Sequence, residues 1–179
     1  DYKEMFETPY DSFEEIIIKG AALGFADAPL SEKEPYIIRY AGMIDNWAEC
    51  DCFCSCIKVK KSEEDALRLL SESVMKQKEE FVSRVGIVLM FSKFSDEPTV
   101  KKALDIYDTL PCGEYYRDMA VAWGISVYCV KYPELITTYL EHSPLSITVK
   151  LMAAQKIRDS RRISDEVKRR VTDTVNAQR

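Results

Sequence analysis

The sequence predicts an all-α chain, and three observations carry that reading. Hydroxyl and carboxylate residues stand three apart at Ser12 with Glu15, Ser31 with Glu34 and Ser62 with Asp65. In that spacing the two side chains satisfy the free amides of a first helical turn. No segment alternates apolar and polar residues between turn signals, so no strand or hairpin is announced. Two apolar runs, V-G-I-V-L-M-F at 85–91 and M-A-V-A-W-G-I-S-V-Y-C-V at 119–130, are too continuous for a helix with one solvated face. They read as helices packed on several sides.

Taken in order, the first two helices start at Ser12 and Ser31, a third at Asp45 as N-cap, and a fourth at Ser62. A fifth begins near Glu79 and a seventh near Glu114, ahead of the two apolar runs. Pro98, Pro133 and Pro144 open the sixth, eighth and ninth, at positions where the missing amide hydrogen costs nothing. Ser164 caps the tenth. The segment Glu80 to Gly86 resembles Tyr115 to Val121, 35 positions on, and Ile147 to Ala153 repeats the same rhythm of apolar and polar residues. Helix pairs recurring at about 40 residues are the signature of HEAT-type arrays, whose inner helices are apolar nearly all round. The expectation is one domain over 1–179, a HEAT-like helical-repeat solenoid of about five antiparallel pairs. No linker or low-complexity stretch divides it.

Composition removes several function classes. Only 6 of 179 residues are Gly, and neither G-x-G-x-x-G nor G-x-x-x-x-G-K-[ST] occurs, so the phosphate-cradling loops of nucleotide enzymes are missing. One histidine, His142, cannot build a His-rich metal site, and in L-E-H-S-P it suits the end of a helix. The longest apolar stretch has 12 residues, too short for a membrane helix. Six Cys, four of them crowded as C-D-C-F-C-S-C, make a poor disulfide ladder, and a reducing cytoplasm is expected. On a helix Cys50 and Cys54 fall opposite Cys52 and Cys56, so one ion cannot collect all four. Small buried thiols are expected, with no metal. The net charge of −5 is unevenly spread. Residues 150–179 hold nine Lys or Arg against four Asp or Glu, and the remaining 149 hold 16 against 26. The tail is the pole a polyanion would approach, although a basic last helix is also a common solvated face.

Three places carry candidate chemistry. In D-N-W-A-E-C-D-C-F-C-S-C-I-K (45–58), helical geometry sets Trp47, Asp51, Ser55 and Lys58 on one narrow stripe, flanked by cysteines and apolar residues. An aromatic beside a polar stripe offers a flat face to a sugar or base. The bland alternative is that Trp47 anchors the helix start and Asp51 pairs with Lys58. Arg84 interrupts F-V-S-R-V-G-I, and with Phe81, Val88 and Phe91 around it the guanidinium needs a partner or an opening. Trp123 reads as core by pattern, yet Trp47, Arg84 and Trp123 are 37 and 39 positions apart, near one repeat each. That spacing allows all three to line one concave wall.

The runs I-D-N-W-A-E-C-D-C-F-C-S, F-V-S-R-V-G-I, Y-Y-R-D-M-A-V-A-W-G-I-S-V-Y-C-V-K-Y-P-E and V-K-L-M-A-A-Q-K-I-R-D-S-R-R-I-S resemble the bacterial DNA alkylation repair family of AlkD type, over about residues 10–170. These are HEAT-like DNA glycosylases. Members usually carry further helices before the segment matching Tyr10 to Ala26. The resemblance implies excision of N3- or N7-alkylated purines from duplex DNA, without flipping the lesion into a pocket. It places Trp47, Asp51, Arg84 and Trp123 in the cleft. Asp51 would act as the catalytic carboxylate with Trp47 and Trp123 against sugar and lesion, and Arg84 would hold a backbone phosphate. Lys150, Arg158, Arg161 and Arg162 of the basic tail are the further expected DNA contacts. No cofactor and no obligate protein partner is implied. Two other classes remain open at this level: a non-catalytic DNA binder using the same surface, and a protein-binding HEAT scaffold whose acidic portion takes a basic partner.

Overall fold

A computed structural model describes all 179 residues as eleven α-helices and one 3-10 turn, with no strand. No helix is long and apolar enough to cross a membrane. The chain forms two compact units, Asp1–Ser92 and Lys93–Arg179.

The first unit contains α1 (Tyr2–Glu7), α2 (Phe13–Phe25), α3 (Leu30–Ala41), α4 (Trp47–Cys56), the 3-10 turn Lys61–Glu63, α5 (Glu64–Met75) and α6 (Glu80–Lys93). Helix α2 packs along α4, and Gly24 seats the end of α4 closely against it. A Cβ there would stand 2.6 Å from Cys56 Cβ, and the Lys58 amide reaches the Gly24 carbonyl at 3.1 Å. On its other side α4 meets α6, where the Cys54 thiol donates to the Val85 carbonyl at 3.7 Å. Helix α3 packs on α5. Two buried lysines tie helix ends together. Lys19 Nζ donates to the carbonyls of Met5 and Thr8, both at 2.5 Å, and Lys33 Nζ to those of Ala26 and Lys58 at 3.2 and 2.6 Å. Orphan carbonyls at helix ends are thereby satisfied by side chains whose stems fill the core.

The second unit contains α7 (Glu97–Tyr107), α8 (Tyr115–Cys129), α9 (Pro133–His142), α10 (Ile147–Asp159) and α11 (Asp165–Asn176). Helices α8 and α10 lie side by side, and α11 packs on both α9 and α10. Gln178 closes the end of this stack, donating to the Leu140 carbonyl at 3.1 Å and accepting from Lys150 Nζ at 2.6 Å.

Helix starts set by local caps stand where the sequence puts them. Ser12 and Ser164 accept from the amides of Glu15 and Val167, and Pro98 and Pro133 fall in first turns. Four starts differ. Helix α4 is capped by Asn46 rather than Asp45, with Glu49 accepting from the Asp45 amide at 3.2 Å. Helix α10 starts at Ile147 on a Ser146 cap, three residues beyond Pro144. Neither Ser31 nor Ser62 is a cap: α3 starts at Leu30, and Ser62 lies inside the 3-10 turn. The group that replaces both is Glu63, whose carboxylate accepts from the Leu30 amide at 2.7 Å and the Lys60 amide at 3.2 Å. Helix α1, capped by Asp1, precedes the ten expected helices.

Those two backbone bonds, Leu30's first, hold the Glu63 carboxyl below its usual 4.5. A carboxyl depressed in the folded state binds fewer protons there than in the unfolded chain. The stabilisation is therefore present above pH 4.5 and is lost as pH falls through the folded value. Glu63→Gln should lower the thermal midpoint at neutral pH and show a shallower further loss on acidification than the parent. Parallel midpoint curves for the two proteins would show that Glu63 does not link α3 to this turn.

Candidate functional site

The Asn46 side chain accepts from the Glu49 amide at 3.1 Å and fixes where α4 begins. That start makes Trp47 the first helical residue, 57% exposed, and sets Asp51 one turn along on the same face. Arg84, on α6, is only 3% exposed. Its guanidinium crosses to α4 and grips the Asp51 carboxylate: Nε and Nη2 donate to Oδ1 at 3.2 and 2.9 Å, and Nη2 donates to Oδ2 at 2.9 Å. The Asp51 side chain keeps 20% of its surface open while Arg84 keeps 4%. The result is a carboxylate fixed by charge-assisted hydrogen bonds from beneath and still open to solvent above, one helical turn from an exposed indole.

Arg84 therefore has the partner its apolar flanks demand, and that partner is Asp51. Lys58, the local candidate, instead lies over the Phe25 ring with its ammonium 4.8 Å from the centroid. The expected role of Arg84 as an open phosphate clamp is corrected: the side chain is buried and its fork is turned to the carboxylate. The cysteines divide by helix face. Cys50 and Cys54 are buried, Cys52 is exposed and Cys56 is intermediate. Burial first, and then the neighbouring Cys50 thiol, push the Cys54 thiol well above its ordinary range, so it is no nucleophile. Cys52 and Cys112 are exposed, against the expectation of small buried thiols.

Trp123 belongs to the second unit. It is not core: half-buried on α8, it lines an open cavity of about 290 Å³ with Ser126 and Val127, and with Lys156, Asp159 and Arg162 from the end of α10 and the loop after it. The basic segment splits. Lys150 is 4% exposed and spends its ammonium on Gln178, so its assignment as a DNA contact is corrected. Arg158 is exposed and donates to Gln155 and to Thr172 Oγ1. Arg161 and Arg162 are exposed and form no ion pair, and Lys156 and Arg169, which the sequence reading did not select, are unpaired as well. Elsewhere Lys3, Arg39, Arg68, Arg84, Lys101 and Arg117 are each paired with carboxylates. Uncompensated positive charge thus gathers at the end of α10 and the start of α11. A second buried arginine also escaped sequence reading: Arg117, 1% exposed, reaches Glu114 at 2.6 Å. Its signal was an arginine ahead of an apolar run, the same signal that singled out Arg84.

Compared with family models, with characterised proteins and with solved structures, the chain gives no match.

Proposed function

We propose that the protein is a HEAT-like DNA glycosylase of the AlkD type, excising N3- or N7-alkylated purines from duplex DNA. The observation that carries this reading is the Asp51–Arg84 pair beside exposed Trp47: a carboxylate fixed in place, open on one side and next to a flat aromatic face. Helices α2, α4 and α6 side by side, with α3 on α5, are consistent with stacked helix pairs.

The reaction asks little of a protein. Alkylation at N3 or N7 leaves the purine cationic, so the C1′–N bond breaks with the electron pair leaving on the base. Water then adds to C1′ and loses a proton. Asp51 stabilises the positive charge that grows on the deoxyribose and orients the water. Arg84 keeps both carboxylate oxygens in register and so acts as a positioning residue. Trp47 packs its electron-rich face against the sugar. Lys156, Arg158, Arg161, Arg162 and Arg169 hold backbone phosphates, replacing Arg84 and Lys150 in that duty. No cofactor takes part in this scheme.

The test is incubation with duplex DNA bearing 7-methylguanine. The expected result is release of the free base, leaving an abasic site, together with a mobility shift that weakens steeply with salt. A salt-dependent shift without base release would make the protein a non-catalytic DNA binder. Absence of both would leave only the protein-binding scaffold.

A further inference from the structure

A groove in the second unit, which shares no lining residue with the Trp123 cavity, carries chemistry that the proposed reaction does not use. Between α7 and α9 lies an open cavity of about 310 Å³. Its wall combines Leu104, Leu135 and Pro144 with two carboxylates, Asp105 and Asp108. Asp108 is half-buried, and its Oδ1 accepts from the Tyr139 hydroxyl at 2.7 Å. Its other oxygen has no donor, and Asp105 makes neither a hydrogen bond nor an ion pair. The cations nearby do not neutralise them. Lys101, at the rim, is paired to Glu97 at 2.7 Å, His142 sits beside Glu141, and Lys150 gives its ammonium to Gln178. Burial holds the Asp108 carboxyl above its usual 3.8, against the bond from Tyr139 and the more distant charge of Lys150. The wall also contains Ser143, whose Oγ is shut off from solvent without a hydrogen-bond partner.

The groove therefore offers unused acceptors at one place and an apolar wall beside them, in a volume of about ten waters. An anion is repelled there, and a neutral apolar molecule gains nothing from the two carboxylates. A compact donor with three N–H bonds and a short hydrocarbon stem meets both demands. We infer that the α7–α9 groove is a binding site for a free primary alkylamine of the diamine or polyamine class, its ammonium on Asp108 and Asp105 and its carbon chain against Leu104, Leu135 and Pro144. The inference does not depend on the glycosylase reading.

Titration of the full chain with 1,4-diaminobutane, followed through the methyl resonances of Leu104 and Leu135, tests it. Saturable shifts at both leucines are expected in the millimolar range typical of so small a ligand. 1-Butanol, which keeps the stem and lacks the charge, should bind about tenfold or more weakly. Asp108→Asn retains an acceptor for Tyr139 and should weaken diamine binding about tenfold, as should Asp105→Asn at an exposed position that folding does not depend on. Leu135→Trp, which fills the groove and keeps both carboxylates, should abolish the shifts. Equal shifts with butanol, or undiminished binding in Asp105→Asn, would overturn the site. Tighter binding of Nα-acetyl-lysine amide than of the diamine would assign the groove to a protein lysine and overturn the free amine.

Discussion

Asp51→Asn is expected to lower single-turnover excision of 7-methylguanine by about a hundredfold to a thousandfold, the usual loss when one preorganised electrostatic stabiliser is removed. DNA affinity should hardly change, because Asn keeps the shape and Asp51 is not a phosphate ligand. The burial of Arg84 sharpens this prediction. Since its fork holds Asp51 from below, Arg84→Lys should also depress excision, a single ammonium being unable to reproduce the bidentate grip. Its salt slope for DNA binding should match the parent's. Arg162→Gln, by contrast, should reduce that slope by about 0.9 and leave the chemical step nearly intact. The double variant Asp51→Asn/Arg84→Lys should be scarcely slower than Asp51→Asn alone, as residues acting as a unit are not additive. Full activity in Asp51→Asn would end the carboxylate mechanism, and a reduced salt slope in Arg84→Lys would return that residue to the phosphates. Thermal midpoints measured alongside separate lost chemistry from lost folding. Both truncations of the pair carry a folding cost, since Asp51→Asn takes the counter-charge from the more deeply buried Arg84 and Arg84→Ala strands a partly buried carboxylate, which is why the midpoints are needed.

What the sequence made legible follows the range of the interactions involved. Caps at Ser12 and Ser164 act within three residues, so their spacing is visible along the chain. Glu63 caps α3 from 33 residues away, and no local pattern announces it. Asp51 shows the same limit. Lys58 is its neighbour on a helical wheel, whereas the observed partner lies on α6, brought close by α4 and α6 lying together. That Arg84 needed a partner was readable from its apolar flanks. The same logic applied to Lys150, whose helical neighbours Ala153, Ala154 and Ile157 are all buried with it. Counting it with the basic tail overlooked that local signal. Net charge is a sum over residues, and it does not distinguish an ammonium that caps a helix stack from one that faces solvent.

The largest expected loss of stability comes from a residue with no side chain. Gly86, on α6, lies against α5 so closely that a Cβ there would stand 2.6 Å from Met75 Cα and 2.7 Å from the Ser71 carbonyl oxygen, and closer still to the Met75 amide nitrogen. All three are main-chain atoms on the buried face of α5, so no side chain can swing aside. Ser83 and Arg84, three and two residues before Gly86, raise the stakes. Ser83 Oγ donates to the Met75 carbonyl at 2.6 Å, and Arg84 carries the grip on Asp51, so pushing α6 off α5 disturbs both. Gly86→Ala should cost about 3 kcal/mol or more in denaturant unfolding, at the upper end of overpacking effects, with little change in m. Gly42→Ala is the matched control. Gly42 closes α3 at φ −81, and a Cβ there would stand 3.5 Å from the Arg39 carbonyl oxygen, so alanine fits and restricts the unfolded chain. That variant should gain about 0.5 kcal/mol. A Gly86→Ala protein with the parent's midpoint would show that α5 and α6 separate without cost, and the tight seat described for Arg84 would then have to be abandoned.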